Sequence, residues 1–125
     1  MYPESLEKIK PMYNRMLTSV ENMHRAGVKM GLGTDLFGPE YHSLQSHEFE
    51  FRAAVQPAID ILRSATSINA EIVQMAGEVG EISPGAFADM IVLDGNPLED
   101  LSIFQRPQDM PIIMKGGRLM RHAEA

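Results

Sequence analysis

Val28-Lys29-Met30-Gly31-Leu32-Gly33-Thr34-Asp35 is the stretch on which the reading of this chain turns. A short apolar run leads through GLGTD to an acid, which places a carboxylate where a buried strand meets a loop. α/β proteins present reactive side chains at the C-terminal ends of such strands. There an acid can bind a divalent metal or take a proton from water, whereas inside the strand it would be buried without compensation. On these residues alone, a turn-capping role for Asp35 before Gly38-Pro39 stands equally open.

Upstream, Leu6, Ile9, Tyr13, Met16, Val20 and Met23 recur at steps of three and four and define one helical stripe, packed apolar side inward. Pro11 predicts a kink, or a short first segment followed by a stronger helix from Met12. Gly27 ends the helix. A helix running straight into a strand is an α/β unit rather than a hairpin protein. Downstream, residues 36–46 read as loop, His47 to Val55 as a short helix, and Pro57 as the first turn of another through about Ala65. Thr66 or Ser67 then caps a third, from Ile68 to Met75, that stops at Gly77. Beyond Gly80 the character changes. Ala88 to Leu93 reads as a strand buried on both faces, Asp94-Gly95-Asn96-Pro97 as a turn, and Ile112 to Met120 as a hairpin closed by Gly116-Gly117. The boundary near Gly77 to Gly85 divides the chain into residues 1–79 and 80–125.

The 125 residues suffice for one modest core, and 44% hydrophobic with 22% charged residues is an ordinary globular composition. Ten methionines against five phenylalanines, three tyrosines and no tryptophan imply packing by flexible side chains that also suit subunit contacts. A net charge of −6 without a Lys/Arg cluster argues against nucleic acid and anionic membrane as partners. Without cysteine there is no disulfide, thiolate nucleophile or Cys-ligated zinc, so any metal site must use carboxylate and histidine. MYPESLEKIK lacks the apolar core of a signal peptide, and no stretch approaches membrane-spanning length; a cytoplasmic location is the default expectation.

Read together, GLGTD (31–35), PAIDILRSATSINAEIVQM (57–75), GEISPGAFADMIVLDGNPLED (80–100) and IIMKGGR (112–118) resemble, in this order, the C-terminal end of metal-dependent amidohydrolases. The similarity is greatest to the branch of imidazolonepropionase-like enzymes and Xaa-Pro or Xaa-Arg dipeptidases. It implies an α/β fold: the last strand and flanking helices of a (β/α)8 barrel, followed by strands of a small accessory sheet. In that sheet Gly85 would permit a turn, and Asp89 would accept backbone hydrogen bonds at a strand start. Asp89 and Asp94 are expected to scaffold, not react.

The resemblance assigns Asp35 to the aspartate ending the eighth strand, which contacts the metal, usually zinc, and the attacking water. Asp35 is thus the expected catalytic and metal-binding residue. The family's His-x-His pair, its lysine or acid on the fourth strand and its histidines on the fifth and sixth have no counterpart here. Alone, the chain is expected to bind metal weakly or not at all. His42 is a candidate substrate contact in the loop after Asp35; His47, Glu48, Arg52 and Tyr41 are weaker ones. His24 and His122 are read as structural or surface residues. The function implied is hydrolysis of amide or peptide C–N bonds by metal-activated water, in a complete form acting on a small peptide or amide. The alternative is a non-catalytic truncated form or α/β binding module that associates with other subunits. A barrel of this type takes about 250 residues, so this chain is expected to form a homo-oligomer or to need a missing N-terminal barrel portion.

Overall fold

The computed structural model describes residues 3–122, with side chains from residue 11 to 121. Helix α1, Pro3–Arg25, runs through Pro11 as one element, so the proline divides nothing. The stripe side chains Leu6 and Ile9 lie outside the described residues. Of the rest, Tyr13, Met16 and Met23 are exposed and Val20 is half-buried, contrary to the expected inward packing. Only Tyr13 finds an aromatic partner, meeting Phe51 edge-on at 5.2 Å. Across from this face lies α2 (His47–Ala53), a helix too short to cover the stripe.

After Gly27, residues 28–35 belong to neither a helix nor a sheet. The expected buried strand is therefore a segment without a ladder, and Val28 is 49% exposed. A 3₁₀ turn, Pro39–Leu44, leads into α2. Then α3 (Ala58–Arg63), a π-wound turn (Ser64–Ile68) and α4 (Asn69–Ile72) follow without interruption. The expected break and cap at Thr66 or Ser67 are absent. Instead the Thr66 hydroxyl donates back to the Leu62 carbonyl at 2.7 Å, a bond that keeps a threonine inside a helix.

Strands β1 (Met90–Val92), β2 (Ile112–Lys115) and β3 (Arg118–His122) form one antiparallel sheet in that order. Met90 pairs with Met114 and Lys115 with Arg118, so Gly116-Gly117 closes the hairpin as read. Asp89 accepts the Gly116 N–H at 2.6 Å, as anticipated for an acid at a strand start. Ile91 and Val92 are half exposed, not buried on both faces, because among the described residues no second layer covers that face.

The core draws on α3, α4 and the 3₁₀ turn Leu101–Gln105, which packs against α2: Ile61, Ala70, Leu101 and Ile103 are all buried. Phe49 on α2 stacks on Phe104 with ring centres 4.4 Å apart, tying the helices to the C-terminal portion. That turn is stiffened by Asp100, whose carboxyl lies below the usual carboxylate range because it accepts the Ser102 hydroxyl and then Arg106. No described helix is long and apolar enough to cross a membrane.

Candidate active site

Two side chains, buried Arg52 and half-buried Asn69, hold the 28–35 segment. Arg52, on α2, is 3% exposed, yet every direction of its guanidinium is answered. Nε donates to Gln56 Oε1 at 2.6 Å, Nη1 to the Gly31 carbonyl at 2.9 Å and Nη2 to Ser64 Oγ at 3.1 Å. Burial lowers the Arg52 pKa and the neighbouring Glu48 partly restores it. An arginine nonetheless keeps its charge. From α4, Asn69 Nδ2 donates to the Leu32 carbonyl at 2.8 Å, while Asn69 Oδ1 accepts the Leu32 N–H at 3.1 Å. The Ser64 carbonyl shares that N–H at 3.2 Å. Gly31 makes room for this approach, since a β-carbon there would fall 2.3 Å from Asn69 Oδ1.

Asp35 ends the segment with a left-handed backbone, φ 50°, and an exposed side chain. Aspartate tolerates that conformation better than most residues. It lines a cleft of about 500 Å³ whose walls include Arg15, Met16 and Val20 of α1 and Glu48 and Phe51 of α2. Glu48 is half-buried there, and burial raises its pKa above the ordinary carboxylate value against the opposing pull of Arg52. A carboxylate held at such a mouth can accept a proton from water and return it to a leaving group.

The other candidates disperse. His42 sits exposed on the Pro39–Leu44 turn and is not among the side chains lining the cleft. Tyr41 is exposed on the same turn. His47 borders an adjoining groove of about 250 Å³ with Leu36 and Leu44, its Nδ1 3.4 Å from Glu50 Oε2. His24 lies half-buried 3.9 Å from Asp60. Arg52, weighed as a substrate contact, is instead buried against the backbone of the segment. Asn69 was not singled out by its sequence context at all, and Gly31 was the one local sign of a close neighbour.

Among the described residues, no three His, Asp or Glu side chains gather as a metal ion would require. A catalytic zinc takes three or more protein ligands. The cleft offers Asp35 and Glu48, and the latter is half-buried beside a cation. These residues do not make a metal site by themselves.

The amidohydrolase family pattern matches residues 3–120. Ochratoxinase of Aspergillus niger is 32% identical over 122 residues, a match that takes in 94% of this chain and 25% of that protein. Its crystal structure superposes with a TM-score of 0.79 at 29% identity, over 98% of this chain and 28% of that one. A prolidase crystallised with N-methylphosphonate-L-proline is 44% identical with a TM-score of 0.84, over 98% of this chain and 30% of that chain. A Xaa-Pro dipeptidase with bound methionine gives 28% identity and a TM-score of 0.75, over 83% and 25%. The chain thus spans 25% to 30% of the length of these relatives. The chain belongs to the amidohydrolase family.

Proposed function

We propose that this chain is the C-terminal part of an amidohydrolase barrel, with residues 80–125 forming an accessory sheet segment, and that the complete enzyme hydrolyses the C–N bond of a small peptide or amide. Asp35 takes a proton from the water that attacks the carbonyl carbon and passes it to the nitrogen as the C–N bond breaks. The observation that carries this reading is the 44% identity, over nearly the whole chain, to a prolidase crystallised with a phosphonate-proline compound. The placement of Asp35 just beyond the clamped Gly31-Leu32 backbone, open to a cleft, supports the same role. A dipeptide is the favoured substrate class.

Family members generally depend on a divalent metal, zinc by resemblance. Its remaining ligands would come from the parts of the relatives that this chain does not match, Asp35 being the ligand contributed here. His42, on the turn beyond Asp35, is retained as a contact to substrate.

The test is Asp35→Asn in the whole protein, assayed on Xaa-Pro dipeptides and N-acyl amino acids. Loss of a general base costs about 10²–10⁴-fold in turnover, with an unchanged melting curve. Near-full turnover by the variant would return Asp35 to a turn-capping role. Absence of hydrolysis by the unmodified protein would favour a binding module.

A further inference from the structure

We propose that Arg52 and Asn69 are positioning residues: their side chains hold the backbone of Gly31-Leu32 and thereby set where Asp35 stands. This rests on the assignment of Asp35 as the reacting carboxylate.

The peptide groups of Gly31 and Leu32 are satisfied by side chains. Both polar groups of Leu32 are taken by the Asn69 amide, and the Gly31 carbonyl by Arg52. An asparagine amide carries one donor and one acceptor on the same edge, and so answers both the N–H and the C=O of a single residue. The two side chains come from different helices, α2 and α4. A slip of the segment along either helix would therefore break the bonds to the other. Arg52 cannot follow such a slip, because Gln56 and Ser64 hold its remaining nitrogens in a buried setting. Its planar fork suits it for this, where a lysine would offer a single point charge.

Nothing comparable holds the chain further on. Between Leu32 and the Gly38 carbonyl that receives Tyr41 N–H, the described residues make no loop backbone hydrogen bond, and Gly33 has open space around it. The clamp is the last tether before Asp35. Three residues reach about 10 Å when extended, so an error at Leu32 is carried to the carboxylate. Misplacement of a reacting group by about 1 Å can cost about 10²-fold in rate.

The test uses the whole protein with Asn69→Ala and Arg52→Ala, and with the shape-conserving Asn69→Asp and Arg52→Lys should either alanine variant fail to fold. Hydrogen–deuterium exchange is followed by mass spectrometry over residues 28–36, with α3 as internal reference. Loss of one or two hydrogen bonds should speed exchange of the Leu32 amide about tenfold or more, while α3 exchanges as before. For the dipeptide substrate, kcat should fall about 10²-fold with KM within about twofold. Added guanidinium should restore part of the kcat of Arg52→Ala, which a general loss of stability would not allow. Unchanged exchange over 28–36 in Asn69→Ala would overturn the clamp. Faster exchange with unchanged kcat would overturn its positioning role. If the unmodified protein hydrolyses nothing, the hydrolase reading fails, and the exchange data still decide whether the clamp exists.

Discussion

Gly80 is where a single added carbon should do most damage. Its backbone has φ +80°, and a β-carbon there would lie 2.6 Å from the Thr66 carbonyl oxygen and 3.1 Å from the Ala70 β-carbon. Two costs therefore add in Gly80→Ala. The left-handed conformation costs an L-residue about 1–2 kcal/mol. Forcing a methyl against backbone adds about 1–3 kcal/mol more, because a carbonyl inside a helix cannot swing aside as a side-chain tip can. Two other glycines separate the terms. Gly85 has φ +96° with nothing within 4 Å, so Gly85→Ala should lose about 1–2 kcal/mol, the conformational term alone. Gly33 has neither a left-handed φ nor a near neighbour, so Gly33→Ala should be neutral, or stabilise by about 0.4–1 kcal/mol through the unfolded chain. Urea unfolding at one fixed protein concentration gives the order directly, and in a melt Gly80→Ala should drop the midpoint by about 10 °C or more. If Gly80→Ala were no worse than Gly85→Ala, the close passage of residue 80 across the Thr66 carbonyl would be refuted.

Burial raises the Glu48 pKa, so the folded state disfavours its charged form. That group then stabilises the fold at low pH relative to high pH, and the contribution is lost as pH rises from the ordinary carboxylate range through the folded value. Glu48→Gln should accordingly stabilise the protein at neutral pH and confer less advantage below about pH 4; a variant less stable at pH 7 would mean that attraction to Arg52 outweighs burial. Titrating the chain alone with zinc in a calorimeter should give only weak binding, since the cleft holds too few ligands; submicromolar affinity surviving Asp35→Ala would reveal a different site. The exposed methionines of α1 and the ladderless segment at 28–35 should make the chain alone associate, so light scattering should report a mass above 13.9 kDa, and a compact, cooperatively melting monomer would contradict this.

What could be read in advance was local. The step of three and four gave α1, the glycine pair gave the β2–β3 hairpin, and Asp89 at a strand start found its backbone donor in Gly116. Burial was less legible, because a stripe at helical spacing says which face is apolar but not what covers it. Met16 and Met23 show that plainly. Thr66 misled for a related reason: hydroxyl residues serve both as caps and as bonds back to a helical carbonyl, and only the surrounding chain decides. The clamp at Leu32 joins residues 37 positions apart through ordinary polar side chains, and no periodicity marks such a pair. The pattern put Asp35 at the end of a buried strand, whereas residues 28–35 join no sheet, and its cleft depends on how α1 and α2 come to flank it.

The π-wound turn at Ser64–Ile68 bears on how this helix tolerates insertion and deletion. In a plain α-helix, residues five apart point about 140° away from one another. Ser64 and Asn69 are five apart, and both side chains serve the clamp, the Ser64 hydroxyl on Arg52 and the Asn69 amide on Leu32. The wider i→i+5 winding brings them back toward one face. It absorbs one extra residue without turning the rest of the helix. Shortening the 65–68 stretch by one residue would leave a separation of four, which an ordinary α-turn also places on one face. Length variation of one residue among relatives should therefore concentrate between the positions of Ser64 and Asn69, with the contacts on either side kept. A deletion within α3 has no such reserve: it would rotate Ile61 and Ser64 by about 100° relative to one another's partners and cost the core its alignment.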